Sequence, residues 1–302
     1  MAVTSAPPKL LVGVDPTKHP FDPLRLAAKL ARRTRLSVVL ATVFPHHPLL
    51  SGPEDEQQRA IRADARKDLM ELGRSFDGLV VEDALVLARS SPARALHELS
   101  ESTPTALVVV GSTARGAVRR VLPGSVAQQL LSGAACPVAV APHGYGEQEA
   151  RELASVGVAY DGSEEAEQAL AGARRLARRA GLRLRIITVV ERLAFGSVPA
   201  ATATAAGSAN RVLEAELRRV HEAALAVDHG AAGVEGVCRE GSTGEVLLEE
   251  SHEVDLLMAG SRGYGPLGAV LLGSTTRELT QAAACPLIVF PRGRSLDLGD
   301  DT

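Results

Sequence analysis

The chain has 302 residues, room for two domains of ordinary size, each with its own core. Apolar residues make up 45% and charged residues 23%, as in a globular protein, and the net charge of −3 supplies no basic excess to attract nucleic acid. Three cysteines are too few and too scattered for a disulfide framework or a zinc site, and no apolar run nears the roughly 18 residues of a membrane span.

Short β-rich runs alternate with longer helical patterns, which predicts βαβ units and a parallel sheet. Met1 to Lys9 has no apolar segment of a secretory signal, so a cytoplasmic location is expected. Leu10–Val14 reads as the first strand, and Asp22-Pro23 opens the first helix as N-cap and N1. Further strands are expected at Ser37–Val43, Val80–Leu87, Ala106–Val110 and Pro137–Pro142. His143 to Gln148 holds two glycines and charged residues between apolar runs, so it predicts an exposed linker dividing residues 1–146 from residues 147–302. Past it, Ser155–Tyr160 is a strand, and Ser163 caps a helix with Glu164 and Glu165 in its first turn. Leu184–Val190 is a strand, Ala200 to Ala209 is read as a mobile loop, and a helix runs from about Arg211 to Val227. Val234–Arg239 and Leu256–Ala259 are strands flanking a short helix at Gly244–Ser251. Ser274–Ala283 is the last helix and Pro286–Pro291 the last strand.

The order repeats because the sequence does. Val12-Gly13-Val14-Asp15 returns in outline as Val158-Ala159-Tyr160-Asp161, and Leu30-Ala31-Arg32-Arg33 returns as Leu176-Ala177-Arg178-Arg179, both 146 residues on. Gly111-Ser112, Gly124-Ser125 and Ala135-Cys136-Pro137 return as Gly260-Ser261, Gly273-Ser274 and Ala284-Cys285-Pro286, 149 residues on. One small insertion in the second copy reconciles the two offsets. The fold expected is α/β: two tandem doubly wound domains, each a five-stranded parallel sheet with helices on both faces and a ligand crevice at the carboxyl ends of the strands.

The second copy places a glycine loop directly after a strand: Gly260-Ser261-Arg262-Gly263-Tyr264-Gly265, then Gly273-Ser274-Thr275 at a helix start. Its skeleton is G-x2-G-x9-G-S. Gly260 and Gly263 are expected to turn with positive φ and bring N–H groups close to an anion. Gly273 and Ser274 add a helix N-terminus, where unpaired N–H groups and the dipole favour phosphate. Arg262 can counter phosphate charge. A connection needing glycine only to turn is the plainer alternative. Asp161 borders the same crevice; it either accepts from a ribose hydroxyl or adenine amino group, or bonds its own backbone in an Asp-Gly turn.

Four blocks, Val158-Ala159-Tyr160-Asp161-Gly162-Ser163, Asp255 to Gly263, Leu271-Leu272-Gly273-Ser274 and Ala284 to Val289, occur in order, and matching landmarks recur in the first copy. At these residues nearly the whole chain resembles the universal stress protein family in its tandem, ATP-binding form. The resemblance implies an adenine-nucleotide alpha-hydrolase-like fold, with ATP as ligand, with or without Mg. It implies a glycine loop on the phosphates, Asp161 on the nucleoside and Val189, at the end of the second strand, in the adenine pocket. It also implies pairing through the last strand, as an internal pseudo-dimer of the two halves, and leaves a homodimer open. The proline-bounded last strands suit an edge position. Family members generally act as stress-response regulators or sensors rather than efficient enzymes.

The first copy departs from the pattern. Its counterparts are Asp15, Val43, Gly111, Gly124 and Ser125, but Ala114 replaces the second glycine and Pro16-Thr17 replaces Gly-Ser. If the position of Ala114 needs positive φ, alanine is strained there, so the first site is expected to be weakened or lost. His46-His47, His252 and Glu253 read as surface residues, and Cys136, Cys238 and Cys285 as core. No catalytic residues and no metal ligands stand out. The competing functions are a slow ATPase or nucleotidyl-transfer enzyme, and an interaction module without nucleotide.

Overall fold

The computed structural model describes residues 6–17, 20–45, 56–114, 121–122, 125–147, 152–191, 200–261 and 273–299. The first copy runs β1 (Lys9–Gly13), α1 (Phe21–Thr34), β2 (Val38–Pro45), α2 (Glu56–Arg74), β3 (Val81–Arg89), α3 (Pro92–Ser102), β4 (Thr105–Gly111), the short pair β5 (Thr113–Ala114) and β6 (Val121–Leu122), α4 (Ser125–Leu131) and β7 (Val138–Ala141). The second runs β8 (Ser155–Ala159), α5 (Glu164–Ala180), β9 (Arg183–Val190), α6 (Ala200–Leu225), β10 (Gly233–Glu240), α7 (Thr243–Glu250), β11 (Leu257–Gly260), α8 (Ser274–Ala282) and β12 (Leu287–Phe290).

Both copies lay their strands in the same order, β3-β2-β1-β4-β7 and β10-β9-β8-β11-β12. All pairings within each five are parallel. β7 and β12 pair antiparallel, Leu287 opposite Val140 and Val289 opposite Val138, so the two fives form one ten-stranded sheet. The last strands are therefore edges of their own copy but interior strands of the chain; β3 and β10 are the outer edges. The flanking prolines frame the joint instead of protecting an edge.

Central strands are apolar on both faces because helices cover both. β4 is buried at every residue from Ala106 to Val110, and β12 along its whole length. Two cores result. On one face α1, α2, α5 and α6 bury residues such as Leu24, Leu69, Leu176 and Ala224; on the other α3, α4, α7 and α8 bury Leu96, Leu130, Leu247 and Leu279. Each fully buried Leu or Ile contributes about 1.5–3 kcal/mol of transfer free energy. α1 and α5 carry their apolar residues at helical spacing, Leu24-Ala27-Ala28-Ala31 and Ala166-Ala169-Leu170-Ala173, and end in left-handed residues, Arg35 (φ 60) and Gly181 (φ 64).

Four local expectations are corrected. α1 starts at Phe21, so Asp22 is in its first turn and is not the N-cap; its buried carboxylate accepts the amides of Gly144 at 3.1 Å and Gly146 at 2.7 Å. Two amide donors in a buried setting outcompete the helix end for one carboxylate. The segment between the copies is not wholly exposed: Tyr145 is buried under Lys29, whose ammonium donates to its hydroxyl at 3.1 Å and sits 4.5 Å from its ring. Ala200 to Ala209 is helix, the first part of the 26-residue α6, as its alanine content allows. Cys238 is only half-buried, since β10 has a neighbour on one side alone. Cys136 and Cys285 are core as expected; burial pushes both thiols up to about 12.

Candidate functional site

In each copy the strand order reverses direction beside the first strand, between β1 and β4 and between β8 and β11. Crossovers on either side of such a point leave in opposite directions and open a crevice at the carboxyl ends. In the second copy a cavity of about 490 Å³ sits there, at the ends of β8, β9 and β11 and the start of α8.

Its floor is Ala159, Tyr160 and Asp161. Asp161 Oδ1 accepts the Ser163 amide at 3.0 Å and its hydroxyl at 2.6 Å, and Gly162 turns with φ 77 beneath Val220 of α6. Ser163 Oγ in turn accepts the Ala166 amide at 3.3 Å and caps α5. Asp161 thus makes the bonds of the Asp-Gly turn, and it also lines the cavity. The Tyr160 hydroxyl donates to Glu167 Oε1, and burial together with that bond pushes Tyr160 up to about 12. It stays a neutral donor at physiological pH.

One end wall is apolar. Ile187 and Val189 project from alternate positions of β9, and Leu247 of α7 faces them. The opposite end is polar backbone: Ala259 and Gly260 close β11, and Gly273, Ser274, Thr275 and Thr276 open α8. Gly273 occupies the N-cap position, so the N-cap residue supplies no capping side chain to the first-turn N–H groups of α8. Thr276 Oγ1 donates to the Gly260 carbonyl at 3.3 Å and ties this turn to β11.

Gly260 does not have positive φ, contrary to expectation; the described glycines that do include Gly162 and Gly293. Glycine is required there by close approach: an added Cβ would lie 2.7 Å from Glu165 Cβ and 2.8 Å from its carbonyl carbon. Ser261 follows, fully buried, with its amide on the Phe290 carbonyl at 2.9 Å and no hydrogen-bond partner for its hydroxyl among the described residues. Arg262, Gly263 and Gly265 lie outside the described residues, as does Gly124.

In the first copy Asp15 Oδ1 accepts the Thr17 amide at 3.0 Å and hydroxyl at 2.6 Å, so Pro16-Thr17 preserves the turn that Gly-Ser makes in the second. Ala114 is not strained. It pairs with Val121 in the β5–β6 ladder, and Arg35 alone among the described non-glycine residues has positive φ. Gly111 ends β4 and Val43 lies near the end of β2, matching Gly260 and Val189; Ser125 begins α4 as Ser274 begins α8.

Sequence reasoning missed Tyr160, Glu165, Ile187, Glu191, Thr243, Leu247 and Thr276 on the cavity wall. Strand parity carried a signal for two of them, since Ile187 and Glu191 share a side with Val189. Thr243 and Leu247 are spaced i, i+4 on α7 and so share a helix face. Among the described residues no three His, Cys, Asp or Glu gather as a metal site, and no helix is long and apolar enough to cross a membrane.

A doubly wound sheet with its cavity at the switch point, walled by apolar strand ends and a helix start with glycine at its N-cap, defines an α/β domain of the doubly wound class. The sequence profile of the universal stress protein family matches residues 8–142 and 153–291, and the chain belongs to that family. A universal stress protein of Mycobacterium tuberculosis is 31% identical over 237 residues, 78% of this chain and 77% of that one. Another, from Mycolicibacterium smegmatis, is 28% identical over 94% of this chain and 97% of its own length. The crystal structure of a universal stress protein from Archaeoglobus fulgidus superposes with a TM-score of 0.65 at 22% identity, covering 94% of this chain and 98% of the other, which shows the same fold.

Proposed function

We propose that the second copy binds an adenine nucleotide, ATP, and that the protein is a cytoplasmic stress-response regulator whose occupied site, not turnover, is the signal. The observation that carries this reading is the cavity spanning from the apolar end of β9 to the N-terminus of α8, whose N-cap is Gly273. β9 and β11 flank β8, so the two ends stand two strand spacings apart, roughly 10 Å. An elongated ligand with a flat apolar end and an anionic end suits that shape. The base packs on Val189 and Ile187, Asp161 faces the ribose, and the phosphates lie against the α8 amides and the glycine loop, Gly260 to Gly265, with Gly273, Ser274 and Thr275.

The two sequence regions, residues 1–146 and 147–302, act as a pseudo-dimer joined at β7 and β12, the first as the weaker site and the scaffold of the second. Calorimetric titration of the full chain with Mg-ATP tests this. One equivalent bound per chain, abolished in Gly263→Val, is the expected result. Two equivalents would make the first copy a working site, and no heat of binding would overturn the nucleotide reading.

A further inference from the structure

We propose that Glu191 is the base-selecting residue of this cavity: one oxygen of its carboxylate accepts the exocyclic amino group of adenine. The inference rests on the nucleotide reading above and adds to it what distinguishes one purine from another.

Glu191 follows the last residue of β9 and shares the side of the strand that Ile187 and Val189 turn to the cavity. Among the described residues that line the cavity from β9, its end and α7, it is the one carboxylate. Its position is held from across the fold. Thr243, 52 residues on, donates its hydroxyl to Glu191 Oε2 at 2.6 Å and its amide to the same oxygen at 3.3 Å. The Ser242 side chain makes no cap bond to α7, so this carboxylate supplies the acceptor for the helix start.

That division of labour leaves Oε1 without a hydrogen bond among the described residues, at the rim of a cavity it lines. A carboxylate accepts and does not donate. It therefore favours a ligand edge bearing a donor and repels the carbonyl oxygen that guanine or hypoxanthine carries at the same ring position. A carboxylate with both oxygens free can grip the ring N–H and amino group of guanine as a pair. With Oε2 taken by Thr243, one oxygen remains, and it matches the single amino group of adenine. In the first copy the same position is Pro45, which has no acceptor side chain.

The test is competition binding of ATP, purine riboside triphosphate, ITP, GTP and 2′-deoxy-ATP to the full-length protein and its Glu191→Gln variant. Expected for the wild type is ATP bound about tenfold or more tighter than the analogue lacking the amino group, with ITP and GTP weaker still. In Glu191→Gln that preference collapses, because a carboxamide presents either a donor or an acceptor. Thr243→Val leaves the carboxylate in place but removes the hydroxyl that orients it; it erodes the preference in a fold checked by circular dichroism. An ATP preference unchanged in both variants overturns the proposal while leaving nucleotide binding intact. So does GTP binding tighter than ATP, or a Glu191-dependent loss seen only with 2′-deoxy-ATP, which would assign the carboxylate to the ribose. No binding of any nucleotide overturns the parent reading and this one with it.

Discussion

Gly260 and Gly133 differ in what a single methyl group would meet. At Gly260 an added Cβ falls 2.7 Å from Glu165 Cβ and 2.8 Å from its backbone carbon; at Gly133 nothing lies within 4 Å. Gly260→Ala should therefore cost about 1–3 kcal/mol through forced separation of α5 from β11, while Gly133→Ala stays within about 0.5 kcal/mol. Urea midpoints of the two variants compare them directly, and equal midpoints would show that α5 can move aside freely. His221 gives a second residue-scale prediction. It is buried against Thr188, sharing a 2.9 Å hydrogen bond, and burial lowers it from its usual 6.5, partly offset by Glu222 and reinforced by Arg218. Above pH 6.5 it is neutral folded and unfolded. Below, the unfolded chain takes the proton first, so stability falls with acid until the lower folded-state value is passed. His221→Gln should flatten that acid slope in unfolding midpoints measured from pH 7 downward; an identical slope would place the titration elsewhere.

The start of α5 shows how much of an element its own residues specify. Ser163 as N-cap, three glutamates in the first turn and Gly181 at the end all act within a few positions, and the structure forms each. Ser163→Ala should cost about 1 kcal/mol and also loosen Asp161, whose Oδ1 loses the Ser163 hydroxyl at 2.6 Å and keeps only the residue-163 amide at 3.0 Å. Reduced stability together with weakened nucleotide binding is expected; a stability loss alone would separate the cap from the site. Where elements were misread, the deciding partner was distant. Asp22 reads locally as a cap, but its partners Gly144 and Gly146 lie more than 120 positions away. Ala200 to Ala209 lacks an apolar stripe, and its helix is part of a long α6 that ends against β9 and β10 through Leu225 and His221.

At the scale of the molecule the two copies meet in matched contacts. Arg33 Nη1 donates to the Ala180 carbonyl at the end of α5 at 3.4 Å, and Arg179 Nε donates to the Thr34 carbonyl at the end of α1 at 2.9 Å. These are equivalent residues 146 positions apart, each capping the other copy's helix, where the dipole favours a cation. The shorter bond is the stronger, so Arg179→Ala should destabilise more than Arg33→Ala, by about 1.5–3 kcal/mol. Thermal unfolding of the two single variants and the double variant measures both the asymmetry and the coupling across the joint.

The sequence by itself determined the repeat, the alternation of strands and helices, the N-cap of α5 and the place of Asp161 and Gly273–Thr275 at the ends of their elements. Each follows from residue type, spacing or periodicity along a few turns of chain, whereas Val189 was placed by the family resemblance alone. Only the tertiary structure decided that β7 and β12 pair antiparallel, that Gly260 is glycine for packing and not for turning, and that Glu191 and Thr243 meet at the rim of one cavity. Those outcomes depend on which faces come together when the sheet closes, and the free energy that selects them comes from burial and hydrogen bonds between residues that no local pattern links.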